Sequence, residues 1–450
     1  MARAPYASSP PAQPGMPAGV PYIVGNEAAE RFSFYGMKAV LVVFMTQHLL
    51  GPDGAPELMS GPQALGAYHL FNSAVYFTPL LGALLSDIWL GKYRTIMLLS
   101  LVYCLGHLAL ALDSTRLGLA LGLGLIAVGA GGIKPCVSAH VGDQFGRLNQ
   151  HLLSRVFAWF YFAINSGAFL STLLTPWLLE HRGPAWAFGV PGVLMALATW
   201  IFWLGRRRFV HIPPGGWRFL REALSREGLA AMGRLALLYL FVAVFWALYD
   251  QSGSAWVLQA EGLDRRFLGV DWLPSQIQAV NPILILAFIP LFSRLVYPAL
   301  ERVLRLTAAR KIGAGLLLAA AAFALSAWTQ ARLEAGAQLS IGWQLLSFLI
   351  ITAAEVLVSI TCLEYSYTQA PRTMKSLLMA FYMLSISAGN LLVGVVNLLI
   401  ARGPGGGAPG PRYYLGFAAL MLAATALYAL AARRWRERVY IQGDGEAPAS

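Results

Sequence analysis

Arg206-Arg207-Arg208-Phe209-Val210-His211-Ile212-Pro213-Pro214-Gly215-Gly216 opens a basic stretch, residues 206–232, near the middle of a 450-residue chain. The sequence on either side is mostly apolar. Hydrophobic residues make up 57% of the chain and charged residues 12%, against about 25% charged in a soluble domain. Runs of about twenty apolar residues are long enough to cross a bilayer as helices. Here they recur six times before the basic stretch and six times after it. They predict helices at about 22–50, 62–86, 94–112, 116–140, 153–179, 185–205, 233–258, 276–298, 308–330, 341–368, 374–401 and 411–432. The expected layout is an N-terminal bundle over 21–205, a linker over 206–232 and a C-terminal bundle over 233–435, with tails at 1–20 and 436–450. Residues 217–228 are read as a short amphipathic helix on the membrane surface.

A net charge of +12 would suit a nucleic-acid partner, but its distribution fits the positive-inside rule instead. If the N-terminus is cytoplasmic, 23 of the 33 Lys and Arg residues fall in cytoplasmic segments, seven in the opposite loops and three within helices. The expectation is a multi-pass protein of the cell (inner) membrane, with both termini cytoplasmic. Residues 1–20 lack the apolar core of a signal peptide and are read as a disordered tail. Cys104, Cys136 and Cys362 have neither disulfide nor metal-ligand spacing.

The first helix carries Glu27, Glu30 and Arg31 within about one turn. A charge near the bilayer centre costs about 2.5–3.5 kcal/mol even on lenient scales. Residues four apart share a helix face, so Glu27, Arg31 and the adjacent Glu30 form a compact cluster suited to proton handling. Two close carboxylates resist ionising together, and Lys134 is a cation placed to oppose them. Between helices two and three runs Gly82-Ala83-Leu84-Leu85-Ser86-Asp87-Ile88-Trp89-Leu90-Gly91-Lys92-Tyr93-Arg94-Thr95. This resembles the GxLxD-xxx-GRK loop of the major facilitators, in which two six-helix bundles rock around a midplane site. Asp87, Lys92 and Arg94 would latch one side by ion pairs.

Further motifs narrow the resemblance. Helix one reads Glu27-Ala28-Ala29-Glu30-Arg31-Phe32-Ser33-Phe34-Tyr35-Gly36, close to ExxERFxYYG. Helix two has Tyr68-His69-Leu70-Phe71 with Tyr76. Helix four has Gly131-Gly132-Ile133-Lys134-Pro135, and helix five has Phe160-Tyr161-Phe162-Ala163-Ile164-Asn165-Ser166-Gly167. Helix seven has Phe245-Trp246 through Trp256, helix ten Glu355 and Leu363-Glu364-Tyr365, and helix eleven Gly389-Asn390. From about residue 22 to 432 the chain resembles the proton-dependent oligopeptide transporters (POT/PTR2), the peptide branch of the major facilitators. It departs at Phe34, where the family usually has Tyr, and at Ala168, where it has Ser.

A di- or tripeptide is a zwitterion, so its site needs a cation for the carboxylate, an anion for the ammonium, and amide-pairing groups between them. Arg31 and Lys134 supply the cations, and Arg31 can grip a carboxylate with two parallel bonds. Glu355, in an apolar run of the other bundle, supplies the anion. Asn165, Asn281, Tyr35 and Tyr76 pair peptide amides, and Trp256 walls a side-chain pocket. The resemblance implies the same roles. Glu27, Glu30, Arg31, Lys134 and His69 are the proton-coupling candidates, His69 because its reference pKa lies near physiological pH and because animal-type members use the matching His. Asp250 is a candidate gate through an ion pair, and Lys38 either pairs an acid or reaches for the membrane surface.

The resulting expectation is a proton-coupled symporter importing di- and tripeptides by alternating access, with peptide-like drugs as further candidate substrates. It would act as a monomer, with the proton gradient as energy source and no cofactor, metal or nucleic-acid partner. The alternatives are the same fold carrying nitrate or another small solute, and a peptide sensor that does not transport. No HExxH, GxSxG or paired catalytic Asp pattern lies in the helices, so an enzyme is not expected.

Overall fold

The computed structural model describes residues 6–10, 12–217, 225–368, 375–403 and 409–433. Most of the segment expected as a surface helix, residues 217–228, lies outside these. Twelve long helices are present among the described residues. α1 is Val20–Val43, extended by a π-helical turn at Phe44–His48. The other eleven are long and apolar enough to cross a membrane: α2 Gly61–Leu90, α3 Lys92–Leu112, α4 Arg116–Gly142, α5 Gln150–Arg182, α6 Pro184–Arg207, α7 Leu235–Glu261, α8 Pro274–Glu301, α9 Ala308–Glu334, α10 Gly342–Ser366, α11 Phe381–Ala401 and α12 Pro411–Ala432. α1 is set apart by Glu27, Glu30, Arg31 and Lys38, all within one helix. The expected 6+6 division is therefore found.

Local chemistry explains several helix boundaries. Ser60 caps α2 by accepting from the Gln63 N–H, while the Gln63 side chain accepts from the Ser60 N–H, a reciprocal box that satisfies two orphan donors. Thr115 and Thr307 cap α4 and α9 in the same manner, through one bond each. Gly82 of α2 sits directly against the Gly132 backbone of α4, where any Cβ would collide. This close approach is what small residues allow in a membrane bundle, and it sets α4, with Lys134, against α2.

Between α7 and α8 the chain turns through a two-residue hairpin, Arg266–Phe267 against Val270–Asp271. Leu268 and Gly269 at its tip have φ of 55° and 78°, the left-handed pair that a tight hairpin requires.

Part of the expected disordered tail makes defined contacts. The Tyr6 ring stacks on His211 at 4.1 Å, the Ala7 carbonyl accepts the His211 N–H, and Asn149 donates to the Gly15 carbonyl. The first part of the linker is likewise tied to the N-terminal bundle. Gln144 accepts the Val210 N–H, the Asp87 carbonyl accepts the Gly216 N–H, and Trp217 meets Trp89 edge to face.

Candidate functional site

The two bundles enclose a cavity of about 220 Å³. From the N-terminal bundle it is lined by Tyr35, Lys38, Tyr68, Tyr76, Tyr161 and Asn165, and from the C-terminal bundle by Trp246, Tyr249, Asp250, Gln278, Asn281 and Glu355. The structure brings Tyr35, Tyr76, Asn165, Asn281 and Glu355 together at one inter-bundle site, and places the candidate gate Asp250 on the same cavity.

Glu355 is the last residue before a π-helical turn, Val356–Ile360, inside α10. Such turns often occur at functional positions in otherwise regular helices. Asn281 donates to its Oε2 at 2.9 Å and to Thr352 Oγ1 at 3.1 Å, and accepts from the Tyr249 hydroxyl at 3.2 Å. Asn281 was expected to pair a peptide amide. Both ends of its side chain are instead engaged, so it orients Glu355. Asn165 donates to the Tyr161 carbonyl of its own helix, which leaves its oxygen as the group free to meet a ligand.

The charged cluster of α1 stands behind the cavity wall rather than on it. Arg31 Nε is 2.7 Å from Glu27 Oε1 and 3.3 Å from Glu30 Oε2. Glu30 is 1% exposed, and neither of its oxygens accepts a full hydrogen bond. The Lys134 ammonium lies over the rings of Phe34, at 4.1 Å, and Tyr76, at 4.6 Å. Tyr76 lines the cavity, so Lys134 is one ring removed from it. The Phe34 that replaces the family's tyrosine therefore has a contact of its own, a cation–π face for Lys134.

A second network closes the interface: Lys38 Nζ of α1 contacts Asp250 Oδ1 of α7 at 3.0 Å. The other Asp250 oxygen accepts from Asn390 Nδ2 of α11 at 2.7 Å. Asn390 Oδ1 is 2.8 Å from His69 Nδ1, and His69 Nε2 is 2.8 Å from Ser254 Oγ. A carboxylate only accepts, which fixes the Asn390 amide nitrogen toward Asp250 and its oxygen toward His69. His69 Nδ1 must then carry the proton, and in the neutral ring Nε2 accepts from Ser254. Asp250 and Lys38 form an ion pair across the two bundles. His69 does not join the Glu27–Glu30–Arg31 group; its bonds cross to the other bundle.

Two further expectations are corrected. Trp256 is fully buried, packed against Phe323 and Phe348, with its carbonyl bonded to Gln344; Trp246 and Tyr249 wall the cavity in its place. The 3-10 turn Asp250–Gly253 and the φ −138°, ψ −83° of Ser254 break the register of α7, so the face read from helical spacing does not continue to Trp256. Nor do Asp87, Lys92 and Arg94 form one latch. Lys92 pairs with Asp143 of its own bundle at 2.6 Å, Asp87 receives only a 3.4 Å bond from Ser86, and Arg94 is exposed. Asn390 and Ser254 were not assigned roles from sequence, although an amide in the apolar run of α11 was the available signal.

The POT family model matches residues 93–226 and 217–408. "Peptide transporter family 1" of Drosophila melanogaster is 39% identical over 368 residues, covering 71% of this chain and 48% of its own length. "Solute carrier family 15 member 2" of Homo sapiens is 36% identical over 396 residues, 77% of this chain and 53% of its own. A crystal structure of the POT family transporter PepTSo superposes with a TM-score of 0.83 at 35% identity, covering 93% of this chain and 98% of that one. A helical membrane protein with the two-bundle major facilitator fold, the chain belongs to the POT family. It spans about half the length of the curated relatives it matches.

Proposed function

We propose that this protein is a proton-coupled symporter that carries di- and tripeptides across the cell membrane by alternating access, with the linker side facing the cytoplasm. The observation that supports it most is the placement of charge about the inter-bundle cavity. Glu355 presents an anion from one bundle, and Arg31 and Lys134 stand as cations behind the opposite wall. That polarity matches a peptide's ammonium and carboxylate ends, and binding to both walls would draw the bundles together.

The cluster also offers a coupling route. Glu27 and Glu30 oppose Arg31 and Lys134 charge for charge. A proton delivered to Glu30 removes one negative charge and leaves a cation in excess, which a substrate carboxylate neutralises. Losing that proton restores the balance and expels the carboxylate. No cofactor enters this scheme, and one chain holds every group it uses. His69 is a second proton site: protonation turns Ser254 from donor to acceptor while the Asn390 bond is kept.

The test is uptake of labelled dialanine into proteoliposomes with and without an inward proton gradient. Accumulation that requires the gradient is expected, with Glu30→Gln abolishing accumulation but retaining peptide exchange. Accumulation indifferent to the gradient, or full accumulation in Glu30→Gln and Glu27→Gln, overturns the assignment. Glu355→Ala should abolish zwitterionic dipeptide uptake while sparing ligands that carry only a carboxylate; unchanged dipeptide affinity would remove Glu355 from the ammonium end.

A further inference from the structure

Behind the charged cluster, away from the peptide cavity, lies a buried polar seam of which the transport scheme uses only Glu30. Asn26 and Glu30 of α1 and Ser100, Tyr103 and His107 of α3 are each at most 1% exposed. Asn26 and Glu30 are four residues apart, and Ser100, Tyr103 and His107 follow at intervals of three and four. Each set therefore occupies one helix face. Tyr103 is eleven residues into α3 and Glu30 ten into α1, about 15 Å up two helices that start on the same side of the bundle. α6 packs against both α1 and α3, which places the two faces side by side along it.

α6 closes the seam. The Pro191 carbonyl accepts from Ser33 of α1 at 2.6 Å. The next residue, Gly192, faces His107, where a Cβ would stand 2.8 Å from the His107 Cβ. The His107 ring stacks on Tyr103 with centroids 5.0 Å apart.

Eight side-chain polar atoms along this seam have no protein hydrogen-bond partner: both amide atoms of Asn26, both carboxylate oxygens of Glu30, Ser100 Oγ, the Tyr103 hydroxyl and both ring nitrogens of His107. Phe188 offers a backbone carbonyl near the His107 ring, but not in full hydrogen-bond geometry. A buried polar atom is normally satisfied by protein or by ordered water. Eight such atoms drawn from five residues on two helices that both pack on α6 supply the two to four polar partners that each internal water requires.

We propose that the α1–α3–α6 seam is a water-binding site, a file of ordered waters running from Asn26 and Ser100 past Glu30 and Tyr103 to His107. It gives the Glu30 carboxylate a hydrated contact on the face opposite the peptide. Water can then donate to Glu30 when it is ionised and accept from it when it is protonated, so the proton exchanges without passing through the peptide cavity. Tyr103 and His107 are positioning residues for that water and touch no substrate. The link to proton exchange rests on the symport reading above; the presence of water does not.

Radiolytic hydroxyl footprinting of the full chain in lipid nanodiscs reads the water directly, because buried residues beside ordered water are oxidised and dry ones are not. Tyr414 is an internal control: it is also unexposed, and its hydroxyl is bonded to the Ala255 carbonyl. Oxidation of Tyr103 at least about tenfold faster than Tyr414 is expected. Equal protection of the two overturns the site. Tyr103→Phe, which keeps the ring, should lower gradient-driven dialanine accumulation while leaving peptide counterflow unchanged. Loss of both together would mark a structural role and overturn the exchange route. If Tyr103 is oxidised but uptake ignores the gradient, the seam stands and the symport reading fails.

Discussion

The two ends of the inter-bundle interface are built differently. Toward the loops at 51–60 and 262–273, side chains from both bundles interlock: Lys38 with Asp250, His69 with Asn390 and Ser254, Gln47 with Glu261, and Gln278 with the Ala39 carbonyl. Toward the linker, the polar contacts of the described residues stay within one bundle or tie the linker to it, as Lys92–Asp143 and Gln144–Val210 do. The loop end is therefore held shut by bonds that must break when the bundles rock, whereas the linker end has no such bonds among the described residues. The conformation is one in which the cavity is closed toward the loops. The same contrast separates the charges. Lys38 and Asp250 are 8% and 5% exposed, so neither can fall back on water if its partner is lost, while the Lys92 pair is only partly buried.

The sharpest way to break this comparison is Asp250→Ala. Removing one partner of a buried ion pair costs about 3–5 kcal/mol, because the remaining charge is stranded. The closed loop end should lose its advantage by roughly 100-fold or more, at about 1.4 kcal/mol per tenfold. The readout is alkylation of Ser252→Cys, a cavity position, by an impermeant reagent applied from the loop side. Lys38→Ala combined with Asp250→Ala should be alkylated more slowly than Asp250→Ala alone, since no stranded charge remains. Equal rates in the single and double variants would show that the pair does not hold the loop end shut.

His69→Ala comes next. It deletes two hydrogen bonds between neutral groups and leaves Asn390 and Ser254 without their partner, a loss of about 1–3 kcal/mol. Alkylation at Ser252→Cys should rise roughly tenfold, short of the Asp250→Ala effect. A rise as large as that of Asp250→Ala would place the imidazole, and not the ion pair, at the centre of the closure.

These two predictions depend on contacts of unequal legibility. A charge in an apolar helix identifies itself, because hydrocarbon tolerates it only for a reason; Glu27, Glu30, Arg31, Lys134, Asp250 and Glu355 were all readable on that ground. Their partners were harder to read. Helical spacing shows neighbours on one helix, but the His69–Asn390 contact joins residues 321 apart, and nothing local in the sequence specifies it. Aromatic residues are ambiguous for another reason. Trp246 and Trp256 sit in equally apolar surroundings, and only the break in α7 at Asp250–Ser254 turns one to the cavity and the other to the core. Division of labour was also hidden. Asn281 has the chemistry to pair a peptide amide, yet Glu355, Thr352 and Tyr249 take up its side chain.

At the linker end the expected effects are small. Lys92→Ala removes a partly exposed pair confined to one bundle, worth about 0–1 kcal/mol. Alkylation at Ser252→Cys from the loop side should stay within about fivefold of the parent. A change on the scale of Asp250→Ala would show that the Lys92–Asp143 pair bears on closure after all, through α3 and α4.

The smallest effect should be that of mild acid on the N-terminal segment. His211 lies outside the membrane helices, stacked on Tyr6, with Nε2 bonded to the Arg206 carbonyl. Partial burial is the main cause that pushes its pKa below 6.5, and nearby Arg94 lowers it further, while the Arg206 carbonyl bond works in the other direction. A depressed histidine pKa means that the docked state holds the neutral ring. The docking contribution is therefore complete above the undocked value and is lost as the pH falls below 6.5 through the docked value. Trypsin cleavage at Arg3 lies too near the terminus to report this, so the readout is fluorescence of a probe at Ala7→Cys. Its mobility should rise modestly between neutral and mildly acidic pH, and His211→Phe, which keeps a stacking ring but cannot titrate, should abolish the change. An unaltered pH response in His211→Phe would assign it to another group.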